Sequence, residues 1–231
     1  MASRENELST QDRILDASET LFAEFGFDGV SLRRITQQAG VELALANYHF
    51  GPKKDLFLAV VRRRADELNH ARAAALELLG PDAPVADLID AFTRPFLEKS
   101  VRGGPGWKSY ARLIAQLANS QRWAEVVMSS QFDSVAMQFI ERTKQAMPHT
   151  DDRNIYWAFH FLLGAMIMTF AETGRIDKLS GGLCRSDDLD TIHAKMVPFL
   201  AAGFEAICAA ENVIDPVTGM NVMIGRIGNR H

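Results

Sequence analysis

A basic segment between residues 31 and 64 holds the side chains best suited to recognising a ligand. It carries seven Arg or Lys residues against two acids, whereas the first 30 residues are strongly acidic and the whole chain has a formal net charge of −4. This balance excludes a uniformly basic coat for nucleic acid but leaves room for a local patch that binds phosphates. A run of charges can also be a solvated helix face with no ligand. The local sequence pattern distinguishes that interpretation from a phosphate-binding patch.

Within this segment, two short predicted helices, Leu32 to Gln38 and Leu43 to Phe50, flank the turn Ala39-Gly40-Val41. This spacing is typical of a helix-turn-helix, whose second helix enters the major groove of DNA. Contacts with the methyl groups of thymine are predicted for Leu43, Ala44 and Leu45. A base contact through its side-chain amide, with adenine as the usual partner, is predicted for Asn47. Phosphate contacts are predicted for side chains with N–H or O–H donors near the helix ends: Ser31, Arg33, Arg34, Tyr48, His49 and Lys53.

The rest of the chain reads as helix, with no clear alternating strand. The first helix is predicted from about Thr10 to Phe25, with Ser9 and Asp12 as a capping pair and Gly26 after its end. Later helices are predicted at about Lys53–Leu79, Val85–Lys99, 107–119, 122–146, 152–173 and 187–211, and Pro198 should kink or split the last one. The predicted fold class is therefore all-α.

Three regions are expected along the chain. Residues 1–52 form a three-helix DNA-binding domain, residues 53–212 form a helical domain for ligand binding and dimerisation, and residues 213–231 form a loose polar tail. The stretch 154–171 is strongly apolar and holds no Asp, Glu, Lys or Arg. It is slightly shorter than the ~20 residues of a membrane span, so we expect a buried or subunit-interface helix and no membrane partner.

Composition and motifs argue against several other classes of protein. With 47% hydrophobic and 23% charged residues the chain is globular, and its two cysteines, Cys184 and Cys208, fit a reduced, cytoplasmic setting. A secretory signal is not expected. The G-x-S-x-G, H-E-x-x-H and C-x-x-C motifs are missing, so we predict no catalytic residue, metal or cofactor.

Residues 10–60 resemble the DNA-binding region of TetR-family transcriptional regulators in one uninterrupted register. The resemblance rests on Ile14–Ala17, Leu21–Phe27, Ser31–Ile35, Ala39–Val41, Asn47–Gly51 and Lys53–Leu56. Glu42 departs from the pattern, because the family usually has a small polar residue there. Glutamate is a poorer helix cap and brings a negative charge toward DNA.

The second half resembles, more weakly, the subgroup of this family that responds to fatty acids or acyl-CoA. The similarity lies in Ala111–Ile114, Ser120-Gln121, Trp157–Ala165 and Met196–Phe204. Candidate effector contacts are large apolar and aromatic side chains with one cation, although each also suits a core or an ion pair: Phe92, Phe96, Trp107, Tyr110, Arg112, Met128, Phe132, His160, Phe161 and Gly164.

Together these features predict a homodimeric, ligand-responsive regulator on a palindromic operator, repression being the family's usual mode. The dimer would form through the helices near 152–173 and 187–211, and a small, largely apolar effector, a fatty acid or acyl-CoA, would release the DNA. Two other classes stay open: a small-molecule-binding protein or enzyme with a vestigial helix-turn-helix, and a protein–protein adaptor.

Overall fold

The computed structural model of the chain describes residues 9–209 together with the backbone of 211–214 and 221–224. The described part is all-α, as predicted, apart from one short hairpin. The helices are α1 (Thr10–Phe25), α2 (Leu32–Ala39), α3 (Leu43–Phe50), α4 (Lys53–Glu77), α5 (Val85–Arg102), α6 (Pro105–Ala118), α7 (Gln121–Trp123), a π-helix (Ala124–Ser129), α8 (Ser130–Ala146), α9 (Asp152–Phe170), α10 (Arg175–Leu179) and α11 (Leu189–Ala209).

Local capping explains where the first helices begin. The Oγ of Ser9 accepts a hydrogen bond from the backbone N–H of Asp12 at 3.1 Å, and Ser31 Oγ accepts from the N–H of Arg34 at 3.2 Å. Each bond satisfies one of the amides that a helix start leaves unpaired. The predicted cap of α1 is confirmed, and Ser31 is shown to act as the cap of α2.

The described chain forms two compact units that interleave in sequence. The first unit contains the residues up to His70, Glu98–Asp133 and Phe170–Glu172, and the second contains Ala71–Leu97, Ser134–Thr169 and the residues from Thr173 onward. The helix-turn-helix segment therefore belongs to a unit that also includes α6 and the π-helix. The functional boundaries at 1–52 and 53–212 stay a prediction.

An aromatic cluster forms part of the core of the first unit. The ring of Phe57 on α4 lies 5.0 Å from that of Phe22 on α1 and 4.6 Å from that of Trp123 on α7, and Phe27 completes the cluster. Such ring pairs add to the stability that their buried area gives. The cluster holds α1, α4 and α7 together.

The second unit has its own aromatic core and a cation that closes the end of α4. Phe92, Phe139 and Phe159 contact one another with ring centroids 5.0 to 5.7 Å apart.

Arg142 on α8 donates to the carbonyl oxygens of Leu76, Leu79 and Gly80 at 2.6, 3.0 and 2.7 Å. The guanidinium thereby satisfies carbonyls that the last turn of a helix leaves unpaired.

Two expectations for the second half need comment. The segment predicted as one helix over 122–146 contains a π-helical stretch before α8, whereas the helix predicted at about 187–211 is confirmed at Leu189–Ala209. Pro198 does not split α11, because Met196 and Leu200 are buried on either side of it and hold both turns on the core. The cost is one backbone hydrogen bond.

The predicted loose tail is wrong for part of its length. The backbones of Glu211–Ile214 and Asn221–Ile224 pair as an antiparallel hairpin with Val213 opposite Val222. β-branched residues flank an Asp-Pro and a Gly in the sequence, which is the usual composition of a hairpin with a longer connection. The remainder of 213–231 lies outside the described residues.

One helix of the described part, α11, is long and apolar enough by length and composition to cross a membrane. For the stretch 154–171 the sequence predicts a buried or subunit-interface helix and no membrane span. Only 28% of the apolar window of α11 is buried, so an unusually apolar surface of the second unit stays uncovered.

Candidate nucleic-acid interface

The helix α3 has one buried residue and exposes most of the others. Ala46 is fully buried, whereas the exposed fractions of Leu43, Leu45 and Tyr48 are 42%, 40% and 83%. Ala44 and Asn47 are exposed as well. The predicted base-reading residues Leu43, Ala44, Leu45 and Asn47 are therefore all accessible, as insertion into a DNA groove requires.

A tight turn sets the angle between α2 and α3. Gly40 has φ +63° and ψ +41°, the left-handed conformation that favours glycine. Arg13 on α1 donates from one guanidinium nitrogen to the carbonyl oxygens of Ala39 and Gly40 at 2.6 and 2.7 Å. A Cβ at position 40 would lie 2.9 Å from the same nitrogen. The sequence analysis missed Arg13, because no local pattern links it to a turn 26 residues away.

The two ends of α3 differ in how they are anchored. Glu42 occupies the cap position without making a side-chain capping bond, which confirms that it is a poor cap. At the other end, Nδ1 of His49 lies 3.2 Å from the amide nitrogen of Gln11 on α1. If Nδ1 accepts this hydrogen bond, the proton of the neutral imidazole lies on Nε2, which can donate a hydrogen bond to a phosphate. Tyr48 makes no such contact within the described residues, and its side chain is exposed.

The cations at this surface fall into two groups. Arg33 and Lys54 are exposed at the starts of α2 and α4, and the guanidinium of Arg34 lies 3.8 Å from the ring centre of Phe25. Lys53 is half-buried, and its Nζ donates to the carbonyl oxygens of Phe27 and Val30 at 2.9 and 2.8 Å. Lys53 therefore clamps the α1–α2 loop to α4, a role that sequence reasoning did not anticipate. Lys54 was not among the predicted contacts.

Two of the three arginines further along α4, Arg63 and Arg64, pair with carboxylates of the first unit. The carboxylate of Glu19, which is 1% exposed, accepts from Arg64 Nε at 2.5 Å and from Arg63 at 3.2 Å. Arg63 also pairs with Asp16 at 2.8 Å. This agrees with the position of Arg63 and Arg64 far along α4, and it leaves Arg33, Arg34, Lys54 and Arg62 as the exposed cations of the segment.

The candidate effector residues are distributed over both units and one exposed surface. Phe92 and Phe96 are buried in the second unit, and Trp107 and Tyr110 are buried in the first, where Tyr110 O–H donates to Val61 O at 3.2 Å. Arg112 pairs with Glu172 at 3.1 Å. Met128 and Phe132 are half-buried in the first unit. The last three candidates are exposed on α9: His160, Phe161 and Gly164.

The fold and this interface define an all-α helix-turn-helix protein. Residues 14–60 match the family described as bacterial regulatory proteins, tetR family, and residues 90–203 match the family described as tetracyclin repressor-like, C-terminal domain. The chain therefore belongs to the TetR family.

Curated relatives agree with this assignment. The transcriptional regulatory protein RaaS of Mycobacterium tuberculosis is 33% identical over 119 residues, which is 52% of this chain and 48% of RaaS. The transcriptional repressor AcnR of Corynebacterium glutamicum is 32% identical over 65 residues, 28% of this chain and 35% of AcnR. The matches thus span half or less of each of these relatives.

Solved structures share the fold. A TetR-like transcriptional regulator from Rhodococcus sp. RHA1 superposes with a TM-score of 0.63 at 18% identity, covering 86% of this chain and 97% of that one. The regulator FadR from Bacillus subtilis in complex with stearoyl-CoA gives a TM-score of 0.61 at 14% identity, covering 83% and 97%. At these identities the likeness is one of fold.

Proposed function

We propose that this protein is a transcriptional regulator that binds operator DNA through α3. The observation that carries the proposal is the exposure of Leu43, Ala44, Leu45, Asn47 and Tyr48 on a helix whose single buried residue is Ala46. A helix shaped only for the core would bury a continuous stripe. Exposed donors of Arg33, Arg34 and Lys54 on neighbouring helix starts suit the phosphates on either side of a groove.

The protein acts as a homodimer on a palindromic site. One short recognition helix reads too few base pairs for selectivity in a genome, and twofold symmetry doubles the site. Support comes from the apolar surface of α9 and α11, where Trp157, Phe161 and Phe199 are 58%, 54% and 75% exposed. Phe161 and Phe199 line a groove of about 470 Å³ between these two helices. A second copy would cover this surface.

The regulator is a cytoplasmic repressor that a small, largely apolar effector releases. AcnR is named a repressor, and the fold relative from Bacillus subtilis is bound to stearoyl-CoA, so we propose a fatty acid or acyl-CoA as the effector class. The ten candidate effector residues remain proposals. An effector can release DNA only by binding one conformation more tightly, and ~100-fold relief of repression needs ~2.7 kcal/mol.

Fluorescence anisotropy with labelled fragments from upstream of the protein's own gene tests the proposal. We expect one fragment to bind with an affinity that falls steeply with salt, by a log–log slope of about −0.9 for each phosphate contact. A scrambled fragment of equal length is the control. Failure to bind any upstream fragment at low salt would favour a small-molecule-binding protein whose helix-turn-helix is vestigial.

A further inference from the structure

Glu172, just after α9, has an unusual backbone conformation. Its φ is +42°, and it is the non-glycine residue with positive φ in the described part of the chain. Glutamate pays a steric cost in this region, so surrounding contacts must hold it there. Its side chain is only 9% exposed, which is low for a carboxylate.

The contacts that hold Glu172 are two cations on α6, one helical turn apart. Lys108 Nζ and Arg112 Nη2 each lie 3.1 Å from the same oxygen, Oε2 of Glu172. Two positive charges thus face one negative charge. A guanidinium can donate to two oxygens of an oxyanion at once. Here Arg112 donates one hydrogen bond to the carboxylate of Glu172.

These cations are also accessible. The side chains of Lys108 and Arg112 are 44% and 48% exposed, so an incoming anion can reach them without opening the core. The three residues belong to the same compact unit. By contrast, the buried carboxylate of Glu19 is enclosed by Arg63 and Arg64, whose side chains are only 24% and 16% exposed. That network offers no comparable entrance.

We propose that Lys108 and Arg112 form a binding site for the oxyanion end of the effector, a carboxylate or a phosphate, and that Glu172 occupies this site when the effector is absent. An incoming oxyanion would take both cations, use the second N–H of the guanidinium, and let Glu172 leave its left-handed conformation. This inference rests on the proposed ligand-responsive function and gives its effector an anionic group.

Calorimetric titration of the purified full chain without DNA tests the site. The probes are inorganic phosphate, coenzyme A and octanoate, each at constant ionic strength. Glu172→Gln is expected to bind the preferred probe about tenfold more tightly than the wild type, because the competing carboxylate is gone. Arg112→Gln should lose that binding. Octanoate binding alone would identify a carboxylate ligand, whereas phosphate and coenzyme A binding would identify a phosphate ligand.

Two further variants keep the result interpretable. Glu172→Gly removes the carboxylate and accepts the positive φ without strain, so it should also bind more tightly even if Glu172→Gln folds poorly. Asp151→Asn is the control, because it frees Arg153 from an ion pair of 2.6 Å elsewhere on the surface, and it should leave binding of the probes unchanged. Equal affinity of both Glu172 variants and the wild type, or an equal gain in Asp151→Asn, would overturn the site. DNA binding is measured separately, so loss of this site leaves the operator proposal standing.

Discussion

At the scale of single residues, the cations around the helix-turn-helix have different roles. Lys53 donates to two carbonyls of the α1–α2 loop and Arg13 to two carbonyls of the helix-turn-helix turn, whereas Arg33 and Lys54 face outward. A charge count treats these side chains alike. Their partners decide which of them hold the helix-turn-helix in place and which are available to phosphates.

Asn47→Ala is expected to relax sequence preference at one base position of each half-site. The exposed amide is suited to paired hydrogen bonds with adenine, and losing such a pair costs about 1–3 kcal/mol of discrimination. Competition binding with a panel of single-base operator variants measures the change. Equal weakening on specific and random DNA would show that Asn47 contacts the backbone or nothing at all.

Lys53→Ala is expected to weaken binding to all DNA sequences alike and to lower the free energy of unfolding by about 2 kcal/mol. The second effect follows because two carbonyl oxygens lose a charged donor. Urea unfolding and anisotropy on specific and random DNA separate the two effects. The exposed neighbour serves as control: Lys54→Ala should weaken DNA binding uniformly and leave stability unchanged. An unaltered unfolding curve for Lys53→Ala would refute the clamp.

At the scale of helices, long-range polar contacts hold the first unit together. Glu19 on α1 binds Arg63 and Arg64 on α4, and Gln116 on α6 donates to Ala23 O on α1 at 2.9 Å. A Cβ at Gly106, near the start of α6, would clash with the Arg64 guanidinium. The helix α3 thus belongs to a unit in which polar contacts join α1 to α4 and α6.

Glu19→Ala is expected to cost about 3–5 kcal/mol of stability, because it leaves two largely buried guanidinium groups without their shared partner. Chemical denaturation measures the loss. Glu24→Ala is the matched control on the same helix. Glu24 is exposed, and its replacement should change stability by no more than about 0.5 kcal/mol. Similar losses in both variants would mean that the buried pairing adds nothing specific.

The sequence predicts those elements whose signals are local. Ser9, Ser31 and Gly40 mark the ends of α1 and α2 within a few residues, and the predicted bounds of α1 and α3 agree with the structure. The same reasoning fails for Lys53 and Arg13, because their acceptors lie 23 to 27 residues away and depend on how the helices pack. The π-helix at Ala124–Ser129 is missed for a related reason, since its composition is that of an ordinary helix.

The effector candidates show a further limit of sequence reasoning. Aromatic and apolar residues suit a core, a ligand cavity and a subunit interface equally well. Phe92 and Phe161 look alike in sequence, but the first is buried and the second is 54% exposed on α9. Three-dimensional packing separates these environments, and it leaves His160, Phe161 and Gly164 exposed on α9.

At the scale of the whole molecule, Phe199→Glu is expected to yield a monomer. Phe199 is 75% exposed in the α9–α11 groove, and a charge in the centre of an apolar interface is strongly unfavourable. Analytical ultracentrifugation should show loss of the dimer, and operator affinity should fall at least about tenfold. Leu183→Glu, at a residue 91% exposed outside the groove, should leave both unchanged. A dimeric Phe199→Glu would place the interface elsewhere.

The uncovered apolar side of α11 has a consequence for how the gene circuit responds to dosage. If only the dimer binds the operator, promoter occupancy at low protein concentration rises with the square of that concentration, by mass action. Halving the concentration of chains then cuts occupancy to about a quarter. The exposed apolar side of α11 thereby makes promoter occupancy depend more steeply on protein concentration than it would for a monomer.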